Sequence, residues 1–233
     1  MIKIRNLEKQ YHSPDGKCIV TLGVDILTIH PSQQIAITGP SGSGKSTLLS
    51  MIGGLVRPTS GTIVWNGEPW PGEHETLSMR QRAQRVGFVF QDLNLLPSMT
   101  LEGNLETAAW FLGISEIRQS VDHALSRVGL SERKGHRPEQ LSRGERQRAA
   151  IARAILFPHK LILADEPTAS LDAENAILVI DLLTEIAMEN GSALLVATHD
   201  PLVMGKLPAR FELQEHRIAR KHMRDQPAEM SIR

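Results

Sequence analysis

Apolar residues run along this chain in two periods. Residues 2–5 alternate polar and apolar, and 19–29 gives further strand-like stretches ending at Pro31. Four short runs do not alternate: 34–38, 86–90, 161–164 and 193–197 are apolar on both faces. That is the pattern of parallel strands covered on both sides. From Lys45 the period lengthens, with Leu48, Leu49, Ile52 and Leu55 at helical spacing before Gly53-Gly54 closes the turn. Asn66-Gly67 between strand-like flanks predicts a hairpin. Residues from about 100 to 155 read as helices with breaks at Gly113, Gly129 and Pro138, and another helix is predicted over 173–188. A last hairpin is predicted near 211–218. Strand and helix therefore alternate on either side of a helical block. This predicts one α/β unit over 1–233, with a core of 1–91 and 159–221, a helical insertion over 92–158 and a mobile tail over 222–233.

Composition narrows the classes. The 233 residues are 41% hydrophobic and 22% charged, enough apolar content to bury a core. Lys and Arg together number 26, as do Asp and Glu, so no net field draws the chain to nucleic acid or anionic lipid. The single cysteine, Cys18, permits no internal disulfide and suits a reducing compartment. The N-terminus carries no signal-peptide pattern, and no run approaches the roughly 18–20 apolar residues that cross a bilayer. The expectation is a cytoplasmic protein with no span of its own.

The run 34–38 leads into Gly39-Pro40-Ser41-Gly42-Ser43-Gly44-Lys45-Ser46-Thr47, which fits G-x-x-x-x-G-K-[ST] between a predicted strand and a predicted helix. Glycines let backbone N–H groups turn inward around phosphate oxygens, and the helix N-terminus adds partial positive charge. Lys45 is then placed to reach β- and γ-phosphates, and the Ser46 hydroxyl to ligate magnesium. A dinucleotide loop is excluded because the third glycine of G-x-G-x-x-G is missing.

Leu161-Ile162-Leu163-Ala164 is followed by Asp165-Glu166. A buried strand delivers side chains to its C-terminal end, where ligands of open α/β sheets bind. Asp165 is the candidate magnesium holder, and Glu166 the candidate base for an attacking water. His199 follows another apolar strand and reaches the same edge. By itself a histidine there is a structural hydrogen-bonder, and only the constellation makes it a catalytic candidate.

Leu141-Ser142-Arg143-Gly144-Glu145 resembles the LSGGQ signature of ABC ATPases, and the resemblance spans nearly the whole chain. In the family's order come Tyr11, the loop 39–47, Gln91, the signature, Asp165-Glu166, Ser170-Leu171-Asp172 and His199. The resemblance implies a P-loop (RecA-like) α/β core with an N-terminal antiparallel β part and an inserted helical subdomain. It implies ATP and Mg2+ as ligands. Tyr11 would stack on adenine, and Gln91 would sense magnesium and the attacking water. Ser142, Arg143, Gly144 and Glu145 would open a helix that caps the γ-phosphate held by a second copy. Asp172 would communicate across the dimer, and His199 would be the switch histidine. A head-to-tail homodimer around two ATP molecules follows from this. One departure stands out: Arg143 replaces the first glycine of the signature's pair.

Met51-Ile52-Gly53-Gly54-Leu55, Gly87-Phe88-Val89-Phe90-Gln91, Leu95-Leu96-Pro97 and Leu163-Ala164-Asp165-Glu166-Pro167-Thr168 resemble the lipoprotein-releasing and macrolide-exporter branch of the family. Gly103-Asn104 and Ala169-Ser170 depart from it. The branch implies a separate membrane permease subunit, docking on the apolar cluster Leu95, Leu96, Pro97 and Met99 near Gln91, and a seat on the cytoplasmic face of the inner membrane. It also admits an alternative, in which ATP-driven closure pulls on a membrane partner to control cell-wall enzymes without moving a solute.

Overall fold

A computed structural model of the chain describes residues 1–12, 18–70, 79–169, 171–214 and 217–223. Ser170, the Cys18 side chain and the tail beyond Met223 lie outside the described residues. The N-terminal half contains β1 (Ile2–His12), β2 (Cys18–Ile29), β3 (Gln34–Thr38), α1 (Lys45–Ile52), β4 (Ser60–Trp65), β5 (Glu68–Pro69), α2 (Met79–Arg85) and β6 (Val86–Val89). Then come three helices, α3 (Leu101–Leu112), α4 (Ile117–Arg127) and α5 (Arg143–Ala154). The last part holds β7 (Leu161–Asp165), α6 (Ala173–Glu189), β8 (Ala193–Ala197), α7 (Pro201–Lys206), β9 (Ala209–Gln214) and β10 (Arg217–Met223).

The described strands form one sheet in the order β5-β4-β1-β2-β10-β9-β3-β8-β7-β6. β4, β1 and β2 pair antiparallel, whereas β9, β3, β8, β7 and β6 run parallel. The parallel strands explain their own lack of alternation. Leu161 and Leu163 of β7 enter the apolar cluster shared with α1, β1 and β2, while Ile162 and Ala164 enter the cluster shared with α3 to α6. Both faces are dry, so every position is apolar. Each fully buried Ile or Leu there contributes about 1.5–3 kcal/mol.

The predicted hairpin forms at Asn66-Gly67, whose φ angles of 52° and 92° are those of a type I′ turn. It brings Trp65 and Trp70 edge to face at 4.9 Å, and the Trp70 indole N–H donates to the Ile52 carbonyl at 2.9 Å. The antiparallel part is thereby fastened to the end of α1.

Two features differ from the sequence expectation. Helix α2 has no counterpart in the apolar periodicity, because its sequence, MRQRAQR, is polar and short. β10 runs to Met223, so His222 and Met223 belong to the sheet instead of a tail. The helical block also shares the sheet's core: α5 packs so closely on β6 that a Cβ at Gly87 would lie 2.6 Å from the Ala154 carbonyl oxygen.

Candidate active site

The parallel strands end level with one another. Ile37 of β3 and Asp165 of β7 both pair with Ala197 of the intervening β8, and Val89 of β6 pairs with Ala164. Loop 39–47, Asp165-Glu166, His199 and Gln91 therefore leave the sheet at a common edge, which is where open α/β sheets bind ligands.

Loop 39–47 needs its glycines. Gly39 has φ 147°, and a Cβ there would meet the Leu213 carbonyl oxygen at 2.6 Å. Gly44 starts α1 at φ 98° and leaves the first turn without a side-chain cap, so the helix's free N–H groups suit an anion. Lys45 is buried and donates to the carbonyls of Gly39 at 3.0 Å and Pro40 at 3.2 Å. Ser43 Oγ is buried without a hydrogen-bond partner. Pro40, Ser41, Gly42 and Ser46 lie exposed, and Thr47 is half-buried.

The two carboxylates sit differently. Asp165 is buried, and desolvation raises its pKa, with a hydrogen bond from Ser46 opposing the shift. Its Oδ1 has no hydrogen-bond partner. A desolvated carboxylate with an unused oxygen beside a serine hydroxyl fits a hard divalent cation such as Mg2+. Glu166 adopts φ 45°, a left-handed conformation that costs a non-glycine residue roughly 1–2 kcal/mol. Its N–H donates to the Ala197 carbonyl at 2.9 Å, locking the turn. Its Oε1 lies 3.7 Å from Lys45 Nζ and accepts from His199 Nδ1 at 3.0 Å, while Oε2 is buried and unpartnered. A carboxylate accepts only, so the His199 ring donates from Nδ1.

The signature is elsewhere. Ser142 caps α5: its hydroxyl accepts from the Glu145 N–H at 3.2 Å, and the Glu145 carboxylate accepts from the Ser142 N–H at 2.8 Å. Those bonds, then Arg133 at 3.1 Å, hold the Glu145 pKa below the usual range. Asp172 caps α6, accepting from the Asn175 N–H at 2.9 Å and from its side-chain amide. The same Asn175 lies against Gly144, where a Cβ would approach its Oδ1 to 3.2 Å. Arg143 is exposed, with no hydrogen bond or ion pair among the described residues.

The chain thus joins Lys45, Ser46, Asp165, Glu166 and His199 in one cluster, and Ser142, Gly144, Glu145 and Asp172 in another. No hydrogen bond or ion pair among the described residues links the two. Tyr11 is exposed with Lys9 Nζ 5.1 Å from its ring centre, and Gln91 is exposed at the strand edge. Of the apolar loop, Leu96 and Met99 are exposed, but Leu95 turns inward onto the helical-side core. Sequence reasoning missed Thr168, whose buried hydroxyl lacks a partner, and Asn104, whose buried amide hydrogen-bonds Leu96 on both its N–H and its carbonyl. The signals were a threonine just past the carboxylates and an asparagine inside a helix.

The chain matches the ABC transporter family over residues 24–169. It is 41% identical over 220 residues to the lipoprotein-releasing system ATP-binding protein LolD of Shewanella frigidimarina, covering 92% of this chain and 90% of that one. It is 43% identical over 221 residues to LolD 1 of Caulobacter vibrioides, covering 94% of each. Among solved structures it resembles the ATP-binding cassette MJ0796, determined as a dimer in a post-hydrolysis state bound to ADP and Pi. The TM-score there is 0.87 at 33% identity, over 96% of this chain and 98% of that chain.

Proposed function

Because the chain belongs to the ABC transporter family and is its ATP-binding, ATP-hydrolysing subunit, we propose that it works as half of a head-to-tail homodimer whose two sites are each completed by the partner copy. The observation that carries this reading is that the Lys45–Glu166–His199 cluster and the capped Ser142–Glu145 turn share no hydrogen bond or ion pair among the described residues.

Loop 39–47 wraps the triphosphate and Tyr11 stacks on the adenine. Lys45 leaves its own loop carbonyls for the β- and γ-phosphates, a move that frees the Glu166 carboxylate. Glu166 then accepts a proton from water as the water's oxygen bonds to the γ-phosphorus and the bond to the bridging oxygen of ADP breaks. His199 keeps the carboxylate oriented. Ser46, Gln91 and Asp165 would hold Mg2+, which would neutralise phosphate charge. From the second copy, Ser142, Gly144 and the α5 N-terminus cap the γ-phosphate, with Arg143 adding positive charge and Glu145 holding the cap in shape. Asp172, through Asn175, ties that cap to α6.

Among the described residues no helix is long and apolar enough to cross a membrane. The output passes to a separate membrane subunit, docked on the exposed Leu96 and Met99 beside Gln91 at the cytoplasmic face. Relatives named for lipoprotein release support a lipidated cargo lifted out of the inner membrane.

Magnesium-dependent ATP turnover is the test. Glu166→Gln should lower it about 10²- to 10⁴-fold while ATP binding persists and dimer accumulates. Undiminished turnover in that variant would refute the assignment.

A further inference from the structure

Helix α5 grips the loop that follows Gln91. Near its C-terminal end, Arg153 donates from Nη2 to the Leu93 carbonyl at 2.8 Å and from Nη1 to the Asn94 carbonyl. Asn94 sits at φ 50°, a left-handed turn, and two successive carbonyls meet one guanidinium. Burial alone perturbs this group, lowering its pKa, and no carboxylate among the described residues pairs with it. A planar fork on two carbonyls fixes position and direction in a way that a flexible ammonium does not.

The far end of the same loop is held from another helix. The Asn104 side chain accepts from the Leu96 N–H at 2.6 Å, and its amide donates to the carbonyls of Leu96 at 3.1 Å and Thr100 at 2.9 Å. The segment between Gln91 and Thr100 is therefore clamped by α5 at its start and by α3 at its end. The opposite end of α5 is the capped Ser142–Glu145 turn. Over its 12 residues the helix forms a rod of about 18 Å between that cap and the loop.

We infer that Arg153 is a positioning residue that makes the Gln91 loop and the signature end of α5 one mechanical body, so that displacement of Leu96 and Met99 by a docked partner moves the cap that a second copy's ATP must meet. This rests on the head-to-tail reading above. A residue serving only the packing of α5 would be matched by its neighbour Arg148, whose Nε donates to the Val128 carbonyl at 3.1 Å and makes no bond to the loop.

The experiment uses the full chain carrying Glu166→Gln, with MgATP, read by ultracentrifugation for dimer and by amide hydrogen exchange at residues 91–99. In this parent, ATP should produce dimer and slow exchange across that segment. Adding Arg153→Lys should weaken dimerisation roughly 5- to 150-fold, the span of typical inter-site coupling. It should also abolish the slowing at 91–99 at dimer-saturating protein concentration, with monomer ATP affinity unchanged. Arg148→Lys should leave both readouts at the parent's values. Arg153→Met, the same length without donors, should behave as Lys or worse; if it fails to fold, the Lys variant decides. Retained slowing in Arg153→Lys, or equal loss in Arg148→Lys, overturns the coupling alone. A parent that never dimerises with ATP overturns the head-to-tail reading and the coupling with it.

Discussion

The strand edge and the signature turn, the two halves of the proposed site, are built in opposite ways. At the strand edge, Lys45, Asp165, Glu166 and His199 come from three strands, all but the exposed His199 largely buried, with four unpartnered polar atoms at Ser43, Asp165, Glu166 and Thr168. At the signature turn, Ser142 and Glu145 satisfy each other locally on one helix, Arg133 reinforces them, and the turn faces outward. The Ser142–Glu145 turn itself carries no such unpartnered atom, and α5 carries one, Gln147 Nε2, just beyond it. Polar atoms buried without a protein partner cost about 1–3 kcal/mol each unless a ligand or water meets them, so the strand edge is built to receive a polar ligand. The signature turn is already closed by its own cap. On the proposed head-to-tail reading, activity requires two copies to close, one supplying the strand edge and the other the signature turn.

The sharpest way to break this contrast is complementation. Lys45→Ala and Ser142→Arg should each depress ATPase activity by roughly 10²-fold or more on their own, the first by removing the charge that meets the phosphates and the second by replacing the α5 cap hydroxyl with a bulky side chain, in both sites of a homodimer. Mixed together, they form one intact site per heterodimer, and turnover should return to a substantial fraction of wild type. If mixing restores nothing, the two regions are not shared in trans.

Acid should act on neither region but on the core between β6 and α5 that joins them. His159, 3% exposed beneath β6 and α5, has its pKa lowered from 6.5 to about 4 because burial disfavours the charged ring. A depressed pKa means that stability is fully present above about 6.5 and is lost as the pH falls toward 4. The loss reaches about 3 kcal/mol. Denaturant unfolding at pH 7 and pH 4.5 should show it, and His159→Gln should flatten that dependence.

A smaller effect concerns the signature turn. Ser142→Ala should cost about 0.5–2 kcal/mol through loss of the cap, measured by thermal unfolding without nucleotide. The strand edge should respond with the reverse sign. Asp165 has its pKa raised by burial, so its charged form destabilises the fold at neutral pH, and stability from this group fades as pH rises. Asp165→Asn should raise the melting temperature of the ligand-free protein slightly and abolish the further rise given by MgATP. An Asn variant less stable than wild type would place that cost elsewhere.

Much of this was legible along the chain. Runs without alternation gave the parallel strands, because a strand dry on both faces leaves no position for a polar residue. Loop 39–47 and Asp165-Glu166 were legible because phosphate and cation binding demand those residue types in sequence. Helix α2 was not legible, since seven mostly polar residues carry no period, and Leu95 was grouped with exposed neighbours although it packs inward. Asn104 and Arg153 were also silent: a hydrogen bond to a distant backbone carbonyl leaves no mark on the sequence of the acceptor.

By itself, then, the sequence determined the strands, the phosphate loop, the carboxylate pair and the order of motifs, because each depends on neighbours within a few residues. Only the tertiary structure decided which of those motifs meet. Strand order set β8 between β3 and β7, which levelled Lys45, Glu166 and His199 at one edge. The direction of α5 carried Ser142 away from them and its other end, Arg153, onto the loop after Gln91. Such distances depend on packing between elements far apart in the chain, and no local pattern encodes them.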